Sequence, residues 1–557
     1  MVICGIKVTH DGGVAVVDGG VLRFSVEMEK LGGNVRHSTL GCLDNLDLIL
    51  KSEGISPMDV DAFVVDGWFG AAPGAPVSVA TSRAGSRVEL RVADYQPPST
   101  RVSALTPYRF DNPALSPRGT YTSYFHASNH VFGSYCTSPF AERGEDSLVL
   151  VWDGGMLPRL FSVSASDRSV TDLGPQFPLL GNMFSDFCAR LAPFRRDWDG
   201  MDDEEKHRTL LEVPGKAMAY AALGTVEPDA FAGFDTLLDE LNDLTWTAAA
   251  RFGEGVLARR DDMFAGLTDA DLIATFQAYI GELLLGALRE SLRKIGGTPN
   301  LCLGGGCALN IKWNAAVRGS GMFADVWVPP FPNDSGAAIG TACCEMFRAG
   351  RHAALDWQVY AGPQLGAQPC PPGWNARACD EEALAELLYR HGEPVAVLTG
   401  RAELGPRALG NRSIIAPAVD PAMKSRLNAI KKREHYRPVA PICLERYAPE
   451  VFDPGTPDPY MLFEHRVRPQ WIDKVPAITH LDGTARLQTV NDRQNPPIAR
   501  VLNAYHRRTG VPLLCNTSAN GPGQGFFPDL PSAASWGGVR LLWADGTLYK
   551  APDAPSG

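Results

Sequence analysis

Two stretches of sequence decide how the chain is interpreted: His126-Ala127-Ser128-Asn129-His130 and, downstream, Val149-Leu150-Val151-Trp152-Asp153-Gly154-Gly155. If the first is helical, its two imidazoles share a face, because residues i and i+4 are neighbours. The second is an apolar, strand-like run ending in an aspartate and two glycines, which let a ligand approach the backbone closely. Imidazole nitrogen and carboxylate oxygen suit a divalent metal such as iron or zinc. Taken alone, however, the stretch fits slightly better a helix with two hydrogen-bonded histidines and an ordinary turn.

The overall composition is that of a globular protein with several domains. The 557 residues allow roughly two to four domains. Hydrophobic residues make up 45% of the chain and charged residues 21%, which are ordinary values. The net charge of −11 and the absence of a long Lys/Arg run argue against general nucleic-acid binding.

We expect a cytoplasmic protein without a membrane segment. The N-terminus lacks a charged region and has too short an apolar run for a signal peptide. The longest apolar region, residues 272–288, is interrupted by Gln277 and Glu282, which argues against a membrane span. The 12 cysteines contain no CxxC pair, as is typical of reduced thiols.

The turn sequence Asp-Gly-Gly occurs twice in the same setting. Residues 2–8 have the pattern of a strand, and His10-Asp11-Gly12-Gly13 then leads into a predicted hairpin. Asp153-Gly154-Gly155 likewise stands between two strand-like runs. Backbone N–H groups of such a turn can hold a phosphate, while the carboxylate serves a metal or water. One such turn is weak evidence, but the repeat predicts a duplicated fold with a phosphate site between the halves.

The remaining N-terminal segments give fewer indications of chemistry. Residues 69–120 show no period and are expected to be irregular, 180–265 mainly helical, and 269–297 a long amphipathic core helix. Gly304-Gly305-Gly306 between a strand and a helix permits close approach of a nucleotide but does not match the Rossmann pattern. Asp334 directly precedes a helix and, considered singly, is best explained as an N-cap.

Cationic residues gather near glycine and proline turns in the last third of the chain. They lie in residues 400–413 and 431–438 and at Arg486, upstream of the run 513–520. Arginine binds phosphate or carboxylate bidentately and keeps its charge. In an acidic chain this predicts a site for a small anionic ligand; the alternative is a solvated basic surface. We favour the site, because Arg412 and Arg437 stand beside structured Gly/Pro segments.

With these motifs the sequence resembles the O-carbamoyltransferase family of antibiotic and nodulation-factor biosynthesis over nearly its whole length. The most specific block is Glu403-Leu404-Gly405-Pro406-Arg407-Ala408-Leu409-Gly410. The other blocks are His10-Asp11, His126-x-x-x-His130, Trp152-Asp153-Gly154, Gly215-Lys216-x-Met218, Gly304-Gly305-Gly306-x-Ala308-Leu309-Asn310, Asn333-Asp334-Ser335-Gly336, Lys431-Lys432-Arg433-Glu434 with Arg437-Pro438, and Asn516-Thr517-Ser518-x-Asn520.

The resemblance implies an α/β protein of two domains. Residues 1–355 would form a duplicated actin/hexokinase-like domain similar to that of tRNA threonylcarbamoyl transferases, in agreement with the repeated Asp-Gly-Gly turn. A linker at 356–379 would lead to a YrdC-like α/β domain at 380–557, a fold that makes acyl adenylates.

It also implies two consecutive reactions. Mg-ATP and carbamoyl phosphate would give carbamoyl adenylate, with release of phosphate and pyrophosphate. The N-terminal site would then pass the carbamoyl group to a hydroxyl of a small-molecule natural product, leaving AMP. Lys431 and Arg437 would take part in the first reaction. The binding residues for carbamoyl phosphate and ATP would be Arg407, Arg412, Lys431, Arg437, Arg486, Asn516 and Ser518.

The transfer site of the family holds a metal, usually iron, so that Fe(II) is expected here. His130, Asp153 and Asp334 would be ligands, and His126 either a ligand or a partner of one. The adenylate would lie against Gly154, Gly215, Lys216, Gly305, Gly306 and Asn310. His10, next to Asp11, is the candidate general base for the acceptor hydroxyl, because the pKa of imidazole lies near neutrality.

The sequence departs from the family pattern around the expected acceptor and adenylate pocket. Gly12 follows His-Asp where Ser or Pro is common, Met28-Glu29-Lys30 replaces a more acidic run, and Val213-Pro214 lacks the acidic residue often found there. These differences leave the roles of Lys30 and Arg36 open and suggest a different acceptor.

Two alternative functions deserve comparison. A tRNA threonylcarbamoyl-type enzyme is disfavoured by the acidic charge. A nucleotide-binding, actin-like protein without group transfer leaves His126, His130 and the arginines unexplained. The acceptor and the oligomeric state, with a homodimer among the alternatives, are not determined by the sequence.

Overall fold

The computed structural model describes residues 1–32, 35–70, 77–196, 198, 200–350, 352–366, 369–552 and 554, without the side chains of residues 203 and 204. Strand-rich segments and long helices alternate along the chain, as expected for an α/β protein.

The first sheet starts as an antiparallel meander and continues with parallel strands. The turn at Gly19 and Gly20, both at positive φ, reverses the chain between the second and third strands. The elements are β1 (Val2–Lys7), β2 (Gly13–Asp18), β3 (Val21–Glu27), α1 (Leu43–Ser52), β4 (Ala62–Asp66), β5 (Ser78–Arg83), β6 (Ser86–Arg91), β7 (Tyr108–Asp111) and β8 (Thr120–Tyr124). The strand order is β3-β2-β1-β4-β8-β7, with β1 parallel to β4, and β5 pairs with β6 in a separate hairpin.

A second sheet repeats this topology. Its elements are α2 (His126–Cys136), α3 (Pro139–Arg143), β9 (Ser147–Val151), β10 (Arg159–Ser164), β11 (Ser169–Pro175), α4 (Met183–Ala189), α5 (Asp203–Tyr220), α6 (Phe231–Asp239), α7 (Ala248–Ala258), α8 (Arg260–Met263), α9 (Asp269–Ile295), β12 (Leu301–Gly304), α10 (Ile311–Gly319), β13 (Val326–Trp327) and α11 (Ala337–Ala349). The order β11-β10-β9-β12-β13, antiparallel then parallel, matches β3-β2-β1-β4-β8. Asp11 and Asp153 follow the first strand of each repeat, so the predicted duplicated, actin/hexokinase-like fold is confirmed.

Helices α4 to α9 cover the second sheet with an aromatic core. Phe187, Phe234, Phe252 and Phe276 contact one another there, with Phe187 and Phe276 centroids 4.4 Å apart. Helix α9 begins with the acidic residues Asp269 and Asp271 and ends before Gly296, as predicted, and a capping box at Thr268 precedes it. It is long and apolar enough to cross a membrane, and in this structure slightly more than half of its most apolar window is buried.

The C-terminal region is built on one mixed sheet. Its elements are β14 (Asn375–Ala378), α12 (Glu381–His391), β15 (Val395–Leu398), β16 (Arg412–Ala416), α13 (Ala422–Ile430), β17 (Ala440–Leu444), α14 (Ala448–Val451), β18 (Phe452–Asp453), β19 (His465–Val467), α15 (Pro469–Ile472), β20 (Thr484–Ala485), β21 (Gln488–Val490), α16 (Pro496–Thr509), β22 (Leu513–Ser518), α17 (Leu530–Trp536), β23 (Leu541–Ala544) and β24 (Thr547–Lys550). The order is β14-β24-β23-β15-β16-β22-β17-β21, and β18-β19-β20 form a small sheet. The predicted α/β class is confirmed here as well.

Two segments expected to be irregular contain strands. Residues 69–120 include β5, β6 and β7, so that expectation was wrong for these parts, while residues 71–76 lie outside the described chain. In the segment 356–379, Asp356 pairs with Val21 at the edge of β3, and β14 already belongs to the C-terminal sheet. The exact domain boundaries stay a prediction.

A buried polar contact joins the two regions where β3 ends. Lys30 Nζ donates to Glu27 Oε1 at 2.6 Å and to the carbonyls of Glu403 and Gly405. Gly405 N in turn donates to Glu27 Oε1 at 2.9 Å. The contact fixes the loop that carries Arg407 against the N-terminal sheet.

Candidate functional site

Four side chains from three parts of the N-terminal region converge on one point. His126 and His130 lie one helical turn apart on α2, Asp153 follows β9, and Asp334 begins a 3₁₀ turn before α11. His126 Nε2 lies 3.2 Å from His130 Nε2, and Asp334 Oδ1 lies 3.3 and 3.4 Å from these two nitrogens. Asp153 oxygens lie 3.7 Å from His126 Nε2 and 4.0 Å from His130 Nε2. The N-cap explanation of Asp334 was wrong, since no cap hydrogen bond of that helix uses it.

Neighbouring groups orient three of these four side chains. Asp66 Oδ2 lies 2.8 Å from His126 Nδ1, which turns His126 Nε2 toward the cluster. Lys7 Nζ pairs with Asp66 at 2.8 Å and with Asp334 at 2.9 Å. Gly306 N donates to Asp153 Oδ1 at 2.6 Å. The arrangement is therefore held from outside before any ligand binds.

The donor set fits a divalent metal. Two imidazole nitrogens 3.2 Å apart repel each other through their lone pairs unless a proton or a cation lies between them. Burial would lower the pKa of His126, but Asp66 and Asp334 raise it. The surroundings of this ring are therefore strongly negative. Burial would likewise raise the pKa of Asp334, but Lys7 and His126 lower it. Two nitrogens and two carboxylates in such a field suit iron or zinc.

Asp11 supports two imidazoles at once beside this cluster. His10 Nδ1 and His37 Nδ1 each lie 2.9 Å from one of its carboxylate oxygens. Asp11 and His37 both have positive φ, 52° and 61°, a strained backbone that non-glycine residues rarely adopt. His10 Nε2 faces Asp334 Oδ2 at 3.5 Å, so the predicted base lies against the metal-type cluster.

Aromatic rings and a third imidazole line the same space. The ring of His207, on α5, lies 4.8 Å from that of His10, and Trp246 is 6.0 Å from His207 between centroids. Phe69 stacks on Tyr95 at 3.7 Å, and the Tyr95 hydroxyl donates to Asp153. Burial, reinforced by His10, lowers the pKa of His207 to about 4, so it is neutral near pH 7.

One cavity of about 840 Å³ connects these groups with the C-terminal region. Among its walls are His10, Asp11, Asp153 and Asp334 from one side and Lys431 and Arg437 from the other. Of the predicted adenylate contacts, the cavity is lined by Gly154, Gly215, Lys216, Gly306 and Asn310. Gly305 is not among the lining residues; its φ of +87°, and the overlap that a Cβ there would have with the Trp152 carbonyl, indicate a structural role.

Five arginines form an adjoining cationic cavity of about 130 Å³. They are Arg36, Arg407, Arg433, Arg437 and Arg486, with Asn516 and Ser518 beside them. Burial and mutual repulsion lower the pKa of Arg433 to about 9 and, with Arg437, that of Arg486 to about 10. Among the described residues, Nε of Arg407 and Nε of Arg486 have no hydrogen-bond partner. Such unpaired, desolvated cations favour a bound anion.

Two predicted anion-binding residues have other partners. Arg412 is 1% exposed and donates to the carbonyls of Thr399, Gly400 and Asn411, so it braces a loop. Lys431 Nζ donates to the Ser518 carbonyl at 2.7 Å and to Asn520. Both cations are occupied by protein oxygens, and the structure does not present either to the small cavity.

Three lining residues were not assigned from the sequence. Arg433 belongs to the block Lys431-Lys432-Arg433-Glu434, so a motif marked its position, but Lys431 was predicted as the anion-binding residue of that block. Arg36 was left open because its surroundings depart from the family pattern. His207 belongs to none of the motifs, and only the packing of α5 brings it to the cavity.

Two family models match this chain in agreement with that geometry. The Carbamoyltransferase N-terminus model matches residues 2–74 and 111–343, and the Carbamoyltransferase C-terminus model matches residues 385–536. The chain therefore belongs to the carbamoyltransferase family and is a carbamoyl-transferring enzyme.

Relatives of the whole chain agree with this assignment. Nodulation protein U of Sinorhizobium fredii (strain NBRC 101917 / NGR234) is 44% identical over 100% of both chains. The 3′-hydroxymethylcephem-O-carbamoyltransferase of Streptomyces clavuligerus is 31% identical over 99% of both. Among solved structures, component A of the Acidaminococcus fermentans (R)-2-hydroxyglutaryl-CoA dehydratase covers 62% of this chain and 96% of its own, at 12% identity and a TM-score of 0.33.

Proposed function

We propose that the enzyme makes carbamoyl adenylate from carbamoyl phosphate and ATP and transfers the carbamoyl group to a hydroxyl of a small-molecule natural product. The observation that carries the proposal is a cavity lined both by Asp153 and Asp334, the two carboxylates of the histidine–aspartate cluster, and by arginines of the C-terminal region. Adenylate formation needs bound anions, and carbamoyl transfer needs a site from which an anionic leaving group departs. The two parts of the cavity that suit these reactions adjoin each other.

The arginines bind and orient the anions of the first reaction. Arg407, Arg433, Arg437 and Arg486 can each form bidentate hydrogen bonds to phosphate oxygens, with Asn516 and Ser518 adding neutral ones. Water first hydrolyses carbamoyl phosphate to carbamate and phosphate. A carbamate oxygen then attacks the α-phosphorus of ATP and expels pyrophosphate. Positioning two mutually repelling anions is the main contribution of this cavity.

The transfer reaction belongs to the N-terminal end of the cavity. His126, His130, Asp153 and Asp334 would hold Fe(II), which when bound supplies a Lewis-acidic charge for the adenylate phosphate. Gly154, Gly306 and the Gly215 segment border the space for the adenylate. An imidazole takes the proton of the attacking hydroxyl: His10 is the predicted group, and His207 is a second imidazole beside it.

The acceptor is proposed to be an alcohol on a sugar, a macrolide or a β-lactam precursor. The name of one relative, which acts on a 3′-hydroxymethylcephem, supports a primary alcohol on a small ring system. A tRNA substrate is disfavoured because the net charge is −11.

Product analysis tests the function directly. Purified enzyme is incubated with carbamoyl phosphate and ATP, alone and with a 3′-hydroxymethylcephem or methyl β-glucopyranoside, and phosphate, pyrophosphate and carbamoylated alcohol are measured. We expect both ions to be released only when both substrates are present, and the alcohol to gain one carbamoyl group. Absence of pyrophosphate under every acceptor condition would refute the proposal.

Metal analysis separates this function from that of an actin-like nucleotide binder. We expect iron to co-purify with the full chain and to be lost when His130 is replaced. An enzyme that transfers carbamoyl groups at full rate after complete removal of metal would contradict the assigned metal site.

A further inference from the structure

Two neighbouring aromatic rings on the wall of the large cavity keep much of their surface uncovered. Phe69 is 38% exposed and Trp246 is 43% exposed, and in the described chain these two are the exposed large apolar side chains that line this cavity. Their ring centroids are 6.1 Å apart and their planes 70° apart, so they form an open corner, called here the aromatic corner. Scattered exposed apolar side chains are normal, whereas adjacent exposed rings in a concave site are typical of ligand contacts.

The position of Phe69 is fixed by its packing. Its ring stacks on Tyr95, with 3.7 Å between centroids and 14° between planes. Gly155 leaves the space that the ring occupies, since a Cβ at that position would overlap it. Because packing already orders the ring, a ligand that contacts its uncovered surface gains affinity at little entropic cost.

The aromatic corner adjoins the groups of the transfer site on two sides. Tyr95, on which one ring of the corner stacks, donates its hydroxyl to Asp153 of the histidine–aspartate cluster. On the other side, the ring of Trp246 lies 6.0 Å from that of His207, which lies 4.8 Å from the ring of His10, the predicted base. A molecule that contacts the corner therefore lies beside the place where the acceptor hydroxyl must react.

The surroundings of the corner fit a saturated ring that also carries polar groups. Helix α5, whose His207 contacts Trp246, contributes Glu212 and Lys216 to the same cavity, and these two are paired at 3.0 Å. A pyranose has an apolar C–H face that packs on aromatic rings and hydroxyls that hydrogen-bond to such charged groups. A purely apolar ring would remove water from the charged groups without replacing its hydrogen bonds.

We propose that Phe69 and Trp246 are the specificity-determining residues for the acceptor, packing against the C–H face of the saturated ring that carries the reacting hydroxyl. The inference rests on the proposed function, because it assumes that the bound alcohol receives the carbamoyl group of carbamoyl adenylate. The two rings determine the affinity for the acceptor and take no part in bond formation. Neither ring belongs to a motif that marks the family, so they can differ with the acceptor while the reacting groups stay the same.

The experiment compares alcohols with and without a ring. Methyl β-glucopyranoside offers the proposed ring, cyclohexylmethanol a ring without further hydroxyls, and methanol, which gives methyl carbamate, no ring. Full-length wild type, Trp246→Ala, Trp246→Phe, Phe69→Leu and the control Tyr389→Ala are supplied with carbamoyl phosphate and ATP. Tyr389 is an aromatic residue that is 55% exposed and lines neither cavity. Pyrophosphate and the three carbamates are measured over a range of acceptor concentrations.

We expect Trp246→Ala to raise KM for the glucoside about tenfold with little change in kcat, because a ring-stacking contact is lost. Phe69→Leu should raise the same KM, and Trp246→Phe, which keeps an aromatic face, should restore most of the affinity. Pyrophosphate release and methyl carbamate formation should stay close to those of wild type in all variants. Wild type should prefer the glucoside to cyclohexylmethanol, and Tyr389→Ala should match wild type throughout.

The possible failures are distinguishable. If wild type releases no pyrophosphate, the proposed function itself is wrong. If wild type releases pyrophosphate but does not carbamoylate the glucoside, or prefers cyclohexylmethanol, the kind of ring assigned here is overturned. An unchanged KM in Trp246→Ala, or an equal loss with methanol and with the glucoside, would overturn the role of the ring in acceptor binding. A Trp246→Phe variant as weak as Trp246→Ala would overturn the stacking contact.

Discussion

The two ends of the cavity show opposite electrostatic conditions at the level of single residues. Asp153 and Asp334 keep their charge because His126, His130 and Lys7 surround them. The arginines of the other end face one another, and burial and repulsion lower the pKa of Arg407. Carboxylate oxygens that converge on one point favour binding of a cation there. Closely spaced arginines favour binding of an anion. Each end therefore predicts a distinct effect of substitution.

Replacing His130 should separate the two reactions. His130→Ala removes one nitrogen of the cluster and leaves the arginine cavity, to which His130 does not contribute, intact. We expect carbamoyl transfer to fall at least about 100-fold with loss of metal, while pyrophosphate release continues. Arg486→Gln should show the reverse, slowing pyrophosphate release first. Equal loss of both activities in either variant would contradict the division into two sites.

Replacing Arg433 should stabilise the free protein and weaken its anion binding. Burial and its arginine neighbours lower the pKa of Arg433 from 12.5 to about 9. Below pH 9 the Arg433 guanidinium is therefore protonated in both the folded and the unfolded state. The free-energy cost of burying its charge falls on the folded state alone. That cost fades only as the pH rises from about 9 toward 12.5.

At pH 7, Arg433→Gln should thus raise the free energy of unfolding by about 1 kcal/mol. Its affinity for inorganic phosphate should fall about tenfold, because a charged hydrogen bond is lost. Urea unfolding with and without phosphate measures both effects. A variant that is less stable than wild type in the absence of phosphate would contradict the prediction.

Single residues were predictable where a motif fixed both residue type and position. His126, His130, Asp153 and Asp334 were named from the sequence, and the structure brings them together. Arg412 belongs to an equally clear motif, but motif membership does not tell whether a guanidinium faces a cavity or backbone carbonyls. His207 lies outside every motif, since its position depends on how α5 packs against the other repeat.

At the scale of elements, the cluster depends on the crossing of α2 and α11. Gly133 of α2 lies against Gly340 of α11, and a Cβ at Gly340 would overlap the carbonyl oxygen of Asn129. Helix α2 carries His126 and His130, while Asp334 directly precedes α11. The small residues at this crossing thus set the distance between the imidazoles and the carboxylate.

Gly340→Ala should therefore weaken both stability and metal binding. We expect a loss of about 2 kcal/mol in the free energy of unfolding, because the helices must separate or the backbone must shift. Iron content should fall as the ligands move apart. Gly286→Ala in α9 is the matched control: its Cβ would meet nothing within 4 Å, and alanine there should stabilise by up to about 1 kcal/mol. Unchanged iron content in Gly340→Ala would show that the crossing does not set the cluster.

Elements with a strong period or cap were predictable, and short strands held by tertiary pairing were not. The sequence of α9 has a helical stripe, acidic residues at its start and a terminal Gly296, and its bounds were found. Strands β5 and β6 are short and form a hairpin outside both repeats. Propensity alone is weak evidence for such strands, because pairing and packing decide them.

At the scale of the whole molecule, the buried contact of Glu27 and Lys30 holds the shared cavity together. It ties the end of β3 to the loop at Glu403 and Gly405, and Arg407 follows in that loop. Burial raises the pKa of Glu27 to about 7, with Lys30 limiting the shift. Under the proposed function, an arginine that binds the anions of adenylate formation would thus be positioned by a residue of the region that carries the transfer site.

Lys30→Met should destabilise the protein and uncouple the two reactions. It leaves the Glu27 carboxylate buried without its cation, which should cost about 3 kcal/mol. The double variant Glu27→Gln with Lys30→Met has no unpaired charge and should lose less, while Lys51→Met, at the exposed end of α1, serves as the control.

As the loop loosens, more carbamoyl adenylate should be hydrolysed, so that AMP formed per methyl carbamate rises. Urea unfolding and product ratios measure both effects. A double variant as unstable as Lys30→Met alone would show that lost packing, not the buried charge, is responsible.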